Sequence, residues 1–347
     1  MFRPWKNVRG KAGNVRSRGV RLEEDRQNTA DSKLRKYRLP QPFPCVSFRM
    51  TTPSQNPSAQ SDQLPQLAVF KQHSRLFESN RFVYPVVSRR SRGVSVGVNL
   101  NPDKVCNFDC IYCQVDRRTE SETRFVEMEA LFKELSSVLA FVTSGEIFEH
   151  PQFSSVPDEF RRLNDIAFSG DGEPTTYKNF DEIIAQAAAV KAEHCDRDVR
   201  MVLITNASMF HREHVQRGLE LLDQNNGQVW AKLDAGTAEY YQLVDRTKIP
   251  FQQILDNIAS AARVRSLVIQ ALFMNVNGEP PSEFEISEWC ERLQEVVEAG
   301  GELSLVQVYT VARQPAESFV TPLTLEQLQQ IADSLIQRTG LTAEVYG

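Results

Sequence analysis

Residues 105–114 read Val-Cys-Asn-Phe-Asp-Cys-Ile-Tyr-Cys-Gln and hold three of the chain's six cysteines, Cys106, Cys110 and Cys113. Six cysteines strewn at random over 347 positions would give a Cys-x3-Cys-x2-Cys spacing about 0.002 times, so the triplet reads as a metal-ligand set. Three thiolates leave a tetrahedral zinc site one ligand short, and no further Cys or His follows at ligand distance. A [4Fe–4S] cluster held by three cysteines instead keeps one iron open to a substrate or cofactor. Zinc is the weaker of the two readings.

Cys106, Cys110, Tyr112 and Cys113 resemble the Cys-x3-Cys-x-aromatic-Cys signature of the radical S-adenosylmethionine (SAM) superfamily. The resemblance implies that the open iron chelates the amino and carboxylate groups of SAM and that Tyr112 lies by the adenine. It also implies the chemistry. A reduced cluster passes one electron to SAM, and cleavage yields a 5′-deoxyadenosyl radical that abstracts hydrogen from a substrate.

Length and composition fit that expectation. The chain has 347 residues, 41% hydrophobic and 24% charged, enough for one barrel-sized domain with an extension. It lacks an apolar run long enough to span a bilayer and a charged-then-apolar leader, so a cytoplasmic protein with no membrane partner is expected. Cys45, Cys195 and Cys290 are far apart, which is not a disulfide framework. Residues 1–49 carry a net charge of +9 against −5 for the whole chain, and residues 50–66 are rich in Ser, Thr, Pro and Gln. Residues 1–66 therefore read as a disordered extension and 67–347 as the folded domain. Three readings stand for the basic part: upstream sequence before a start at Met50, a phosphate-binding tail, or a targeting segment.

The folded part repeats one unit. Strands are expected at residues 94–100, 165–169, 199–206, 228–234, 266–275 and 302–311, with helical patterns between them. Six such units with right-handed crossovers predict an α/β fold, a parallel sheet curled into a partial (β/α)6 barrel. That is the fold the resemblance implies. Thr119-x-x-Glu122 predicts the start of the first long helix, Ser282-x-x-Glu285 and Thr324-x-x-Gln327 predict two later starts, and Gly340 a helix end. Residues 144–162, with two prolines and no period, read as an exposed insertion and a candidate lid.

Polar residues gather where the strands end, which in parallel barrels is where chemistry sits. Ser169-Gly170-Asp171-Gly172-Glu173-Pro174-Thr175 is similar to the superfamily's glycine-glycine-glutamate-proline motif, which holds the SAM amino group. Gly170, Gly172, Glu173 and Pro174 are matched and Asp171 departs from it. Asn206, in Thr205-Asn206-Ala207, either contacts a ligand or caps the next helix. Lys232 and Asp234 share one face of their strand and either pair with each other or hold the SAM carboxylate and ribose. Gln270, Gln307 and Tyr309 either bond one another or line a substrate chamber, with Thr310 and Arg313 at its rim. Cys290 reads as core, and Cys195 as incidental.

Several stretches together resemble the superfamily group that contains the tRNA wyosine synthases: residues 88–93, 106–114, 169–175, 233–235 and 308–313. RNA or a nucleotide is then one substrate class, with Arg89, Arg90, Arg92, Lys104, Arg117 and Arg118 near the cysteine loop. A small molecule or peptide, including a partner enzyme to be activated, is the other. The chain offers no grouped cysteines for the second cluster of the archaeal wyosine synthases. A one-electron donor of the flavodoxin or ferredoxin kind is implied, and a noncatalytic metal-binding module is the alternative outside enzymology.

Overall fold

The computed structural model describes residues 77–347, apart from Arg89, Ser91 and Arg118. The expectations for residues 1–66, and for Cys45 within them, lie outside the described residues. The strands among the described residues are β1 (Val83–Ser88), β2 (Gly93–Val98), β3 (Leu163–Phe168), β4 (Arg200–Thr205), β5 (Gly227–Lys232), β6 (Leu267–Leu272), β7 (Met274–Val276), β8 (Leu303–Tyr309), β9 (Val320–Pro322) and β10 (Ala343–Tyr346). The α-helices among the described residues are α1 (Met128–Thr143), α2 (Phe180–His194), α3 (Glu213–Gln224), α4 (Ala238–Asp245), α5 (Phe251–Ala262), α6 (Glu283–Glu298) and α7 (Leu325–Thr339).

Eight strands form one sheet in the order β1-β2-β3-β4-β5-β6-β8-β10. From β2 to β10 the pairings are parallel, and β1 runs antiparallel to β2 at one edge. Helices cross over between successive parallel strands, and the result is the curled α/β partial barrel that the repeat predicted. Its convex face carries the main core. Ile166, Phe168, Met201, Leu203, Val229, Ala231 and Ile269 alternate onto it and are buried. The concave face holds a small separate cluster of Ala167, Val202, Trp230 and Val268. Because both faces are covered, all six residues of β2 are buried despite their alternating pattern.

All six expected strands form, and two details differ. The stretch 266–275 is broken after Leu272. Met274 onward pairs instead with β9 in a separate antiparallel ladder, and the bond from Phe273 N to Tyr309 O at 2.8 Å is the last of the parallel ladder with β8. The edge strands β1 and β10 were not among the six units.

The helices show which caps operate. Thr324 and Gln327 form the complete capping box of α7, and Gly340 closes that helix with φ 71°. On α6, Ser282 caps the N–H of Glu285, but the Glu285 carboxylate turns away to other partners. Thr119-x-x-Glu122 is not a helix start. Thr119 Oγ1 donates to Asp116 Oδ2 at 2.6 Å in a local turn, and α1 begins only at Met128. The helical face is as expected, with Leu131, Leu135, Val138 and Leu139 buried.

Residues 144–162 are not an exposed lid. Two short 3-10 turns, Glu146–Glu149 and Asp158–Phe160, bury Ile147 and Phe160, and Phe153 and Val156 between them are buried too. The segment leads into the N-terminal end of β3, and Arg162 O accepts from Val94 N at 2.8 Å at the start of β2. It therefore packs at the end of the barrel opposite the cysteines. Apolar residues spaced without period still supplied enough surface to anchor it.

Candidate active site

The cysteines lie on the loop that leaves β2, and that loop is pinned on three sides. Asp109 N and Ile111 N donate to Asp245 O (3.1 Å) and Val244 O (2.9 Å) at the end of α4. Asn107 joins the loop to the end of β4, its Oδ1 accepting from Asn206 Nδ2 at 2.9 Å and its Nδ2 donating to Ser208 Oγ at 2.8 Å. Phe108 and Ile111 are buried, and Phe108 meets the Tyr241 ring edge-on at 6.0 Å. Asn99, one residue past β2, exchanges hydrogen bonds with Asp171: its Nδ2 donates to Asp171 Oδ2 at 2.7 Å, and its Oδ1 accepts from Asp171 N at 3.1 Å.

Cys106, Cys110 and Cys113 line one cavity of about 270 Å³ at the C-terminal ends of the strands. All three are free thiols. Cys110 Sγ donates to Asp245 Oδ1 at 3.4 Å, and Arg117 Nη2 donates to Cys113 Sγ at 3.6 Å. Burial pushes the Cys106 thiol up, and burial with the neighbouring Asp245 pushes Cys110 well up. Among the described residues no three His, Cys, Asp or Glu side chains are drawn around a single metal ion.

The same cavity is lined by Gly170, Gly172, Glu173, Asn206, Tyr112, Lys232 and Asp234. Glu173 is buried, and its carboxylate accepts from Thr175 N (3.1 Å), Thr175 Oγ1 (2.5 Å), Thr205 Oγ1 (2.6 Å) and Asn206 N (2.7 Å). Three of these bonds fall on Oε1 and one on Oε2, which leaves Oε2 room for another donor. Burial raises Glu173 above its ordinary value, and the donors counter it only in part.

Pro174 is buried at the first position of a short 3-10 turn, Pro174–Thr176, where its missing N–H costs nothing. The glycines answer to the loop itself. A Cβ on Gly172 would lie 2.2 Å from Val105 O and one on Gly170 2.2 Å from Asn99 Oδ1, so both let the β3 loop close against the cysteine loop. Asn206 is held by its neighbours, with Nδ2 donating to Asn107 Oδ1 and Oδ1 accepting from Ser208 N and Oγ.

At the end of β5, Lys232 and Asp234 pair at 3.1 Å. Asp234 also accepts from Tyr112 Oη and from Leu272 N (2.7 Å), while Lys232 donates to Tyr309 Oη at 2.9 Å and stands 5.0 Å from the centre of the Tyr112 ring. Burial would lower Lys232, but Asp234 and Tyr309 outweigh it and hold the ammonium above its ordinary value. Gln270 Nε2 donates to Gln307 Oε1 at 2.8 Å, so these two satisfy each other.

Asp245 was not singled out in the sequence. It is buried between Cys110 and Tyr112, and burial together with Asp234 raises it to about 7. A signal existed: Tyr241, Val244 and Asp245 form the buried stripe of α4, where an acid is out of place. Cys290 is buried in the core, as expected, and Cys195 sits at the C-terminal end of α2, far along the chain from the loop.

Fold and site together define a partial-barrel α/β protein whose thiol triplet, carboxylate and lysine–aspartate pair face one chamber. A protein-family profile described as the radical SAM superfamily matches residues 100–288, more than half of the chain. The chain belongs to the radical SAM superfamily. It is 26% identical over 256 residues to UPF0026 protein MJ1312 of Methanocaldococcus jannaschii, covering 71% of this chain and 68% of that protein. It is 26% identical over 192 residues to a GTPase Obg of Brachyspira hyodysenteriae, covering 54% of this chain but only 24% of that protein. Among solved structures, TYW1 with a lysine-pyruvate adduct is similar at TM-score 0.42, with 14% identity and coverage of 71% and 74%. SuiB of Streptococcus suis, bound to SAM, is similar at TM-score 0.44, with 12% identity and coverage of 71% and 46%.

Proposed function

We propose that Cys106, Cys110 and Cys113 hold a [4Fe–4S] cluster, and that SAM binds beside it in the chamber. The observation that carries this reading is that the three thiols line the same cavity as Glu173, Lys232 and Asp234. The donor set suits the group: three free thiols on a preformed loop, with one coordination position left for a ligand from the chamber side. Cluster and SAM together supply a one-electron reductive cleavage whose radical product takes hydrogen from a substrate.

The protein's own residues then bind, orient and exclude. Glu173 Oε2 takes the SAM ammonium, a charge-assisted bond in a buried setting. Lys232, held protonated by Asp234, attracts the SAM carboxylate, and Asp234 orients Tyr112 beside the adenine. Asn206 acts one step back, fastening the cysteine loop to β4. Gly170, Gly172 and Pro174 fix the turn that presents Glu173.

The substrate reading that we favour is a small molecule rather than RNA. Of the basic residues near the loop, Lys104 donates to Thr119 O at 3.0 Å and Arg117 to Phe108 O at 3.1 Å, so two of them serve the loop instead of an outer phosphate surface. Among the described residues no helix is long and apolar enough to cross a membrane. The reductant is a one-electron donor of the flavodoxin or ferredoxin kind.

The test is anaerobic reconstitution with iron and sulfide assay, followed by dithionite, SAM and quantitation of 5′-deoxyadenosine. About four irons per chain, with cleavage abolished in Cys106→Ala, is the expected result. Zinc in place of iron, or an iron cluster inert toward SAM, would overturn the reading.

A further inference from the structure

Among the described residues, one cation in the chamber lacks the carboxylate that Lys232 and Arg117 have. Four cationic side chains line the cavity: Arg90, Arg117, Lys232 and Arg313. Lys232 pairs with Asp234 at 3.1 Å and Arg117 lies 3.9 Å from Asp109, while Arg313 also has an interaction of its own. Arg90 has no carboxylate within ion-pair distance among the described residues. Its guanidinium instead stands over the Tyr309 ring, 4.9 Å from the centroid.

The position of that contact matters. Arg90 lies in the turn between β1 and β2, and β1 is one edge of the sheet. Tyr309 ends β8, the neighbour of the other edge strand, β10. Arg90 and Tyr309 therefore meet across the barrel's open side. Further spaces of about 880 Å³, 220 Å³ and 120 Å³ also have Arg90 in their walls, and the first of them is shared with Asp165, Asp196, Asp198 and Glu344, none within ion-pair distance of the guanidinium. Arg90 thus borders the chamber on the side where β1 and β8 approach.

Partial burial of a guanidinium without an anion is costly, and an aromatic face recovers only ~0.5–2 kcal/mol. The ring contact holds the guanidinium at the chamber wall, and a guanidinium has five N–H donors that suit a planar or tetrahedral oxyanion. Tyr309 is itself held in place by Lys232 through its hydroxyl. The ring that the guanidinium meets is thus itself anchored.

We propose that Arg90 is the residue that recognises the substrate, and that the substrate is a small molecule bearing a carboxylate or phosphate that this arginine clasps. The inference rests on the cluster-and-SAM reading for what happens next, but the clasp can be tested apart from it. A structural latch between the barrel edges is the rival role for Arg90, and it would not require an anion.

The experiment titrates reconstituted protein, with and without SAM, with inorganic phosphate, succinate and the neutral diamide succinamide by calorimetry. Phosphate or succinate binds and succinamide does not; which anion binds names the group. Arg90→Gln weakens that anion by at least about tenfold and Arg90→Lys by less, whereas Arg263→Gln, on the outer helix layer, keeps the native affinity. On the unaltered protein, the same anion slows phenylglyoxal modification of Arg90, located by peptide mapping. Equal anion affinity in Arg90→Gln, or no binding of either anion to the native chain, would overturn the proposal even if SAM binds normally. Loss of SAM binding in the parallel titration would strike the earlier reading and not this one.

Discussion

Asn99 and Asp171 exchange hydrogen bonds in both directions, side chain to side chain and side chain to backbone. This pair ties the end of β2 to the loop after β3 and accounts for the one residue that departs from the paired-glycine pattern. A glycine there would leave the Asn99 amide without its carboxylate. Asp171→Gly is expected to lower stability by about 1–2 kcal/mol, read from the guanidinium unfolding midpoint. Asn99→Ala should cost a similar amount, and the double variant little more than either single one. Additive losses would show that the two residues act independently.

Gly172 faces the cysteine loop at a distance that admits no side chain. A methyl group placed there meets Val105 O at 2.2 Å and Asn101 Cβ at 2.8 Å, both held by short-range structure. Gly172→Ala is therefore expected to displace the loop and reduce iron retained after reconstitution. Gly145→Ala supplies the contrast, since its Cβ would meet nothing within 4 Å and its φ of 84° costs only about 1 kcal/mol. Its iron content should match the native chain.

The acid limb of SAM binding should belong to Glu173. Burial keeps its carboxyl above the ordinary value against the donors from Thr175, Thr205 and Asn206. The folded chain thus holds this proton more tightly than the unfolded chain does. Its contribution favours folding below the ordinary carboxylate value and is lost as pH rises through the raised one. SAM needs the anion, so its affinity should increase as pH climbs through that raised value. Glu173→Gln should bind SAM at least about tenfold more weakly and lose the acid limb, measured by equilibrium titration across pH. An unchanged limb in the variant would assign it elsewhere.

Lys232 and Asp234 form a buried pair with further bonds to both members. Removing Lys232 as Lys232→Met leaves an aspartate buried beside Asp245, a loss of about 3–5 kcal/mol, whereas Lys232→Met with Asp234→Asn should recover part of it. Thermal unfolding of the cluster-free chain measures this. Destabilisation by the double variant equal to that of the single would show that the carboxylate charge is not what the lysine offsets.

The parallel order of the strands was legible because periodic apolar segments alternate so regularly that few topologies remain, and the six units appear where residues 94–311 put them. The thiol triplet and Glu173 were legible because rare residues at fixed spacing have few other uses. What escaped was long-range. The local pattern around Thr119 predicts a helix cap, yet Asp116 takes its hydroxyl. Glu285 was read as the closing half of a capping box, but its carboxylate accepts from Gly236 N and Thr237 Oγ1, a contact visible only once α6 packs on the loop after β5. Residues 144–162 looked exposed because their buried positions follow no period. Asp245 and Arg90 gain meaning only from neighbours more than a hundred residues away, such as Cys110 and Tyr309.

The loop from Asn107 to Ile111 is stitched to α4 and β4 chiefly by its own backbone and amide groups, with the Cys110 thiol adding one long bond to Asp245. Many small metal domains acquire their shape only as the ions arrive, and much of the binding energy goes into ordering the chain. Here the ordering entropy has been met in advance by Asp245, Val244, Asn206 and Thr247. Amide protons at Asp109 and Ile111 should accordingly exchange slowly in protein stripped of iron, and the cluster should load and unload without the barrel around it melting.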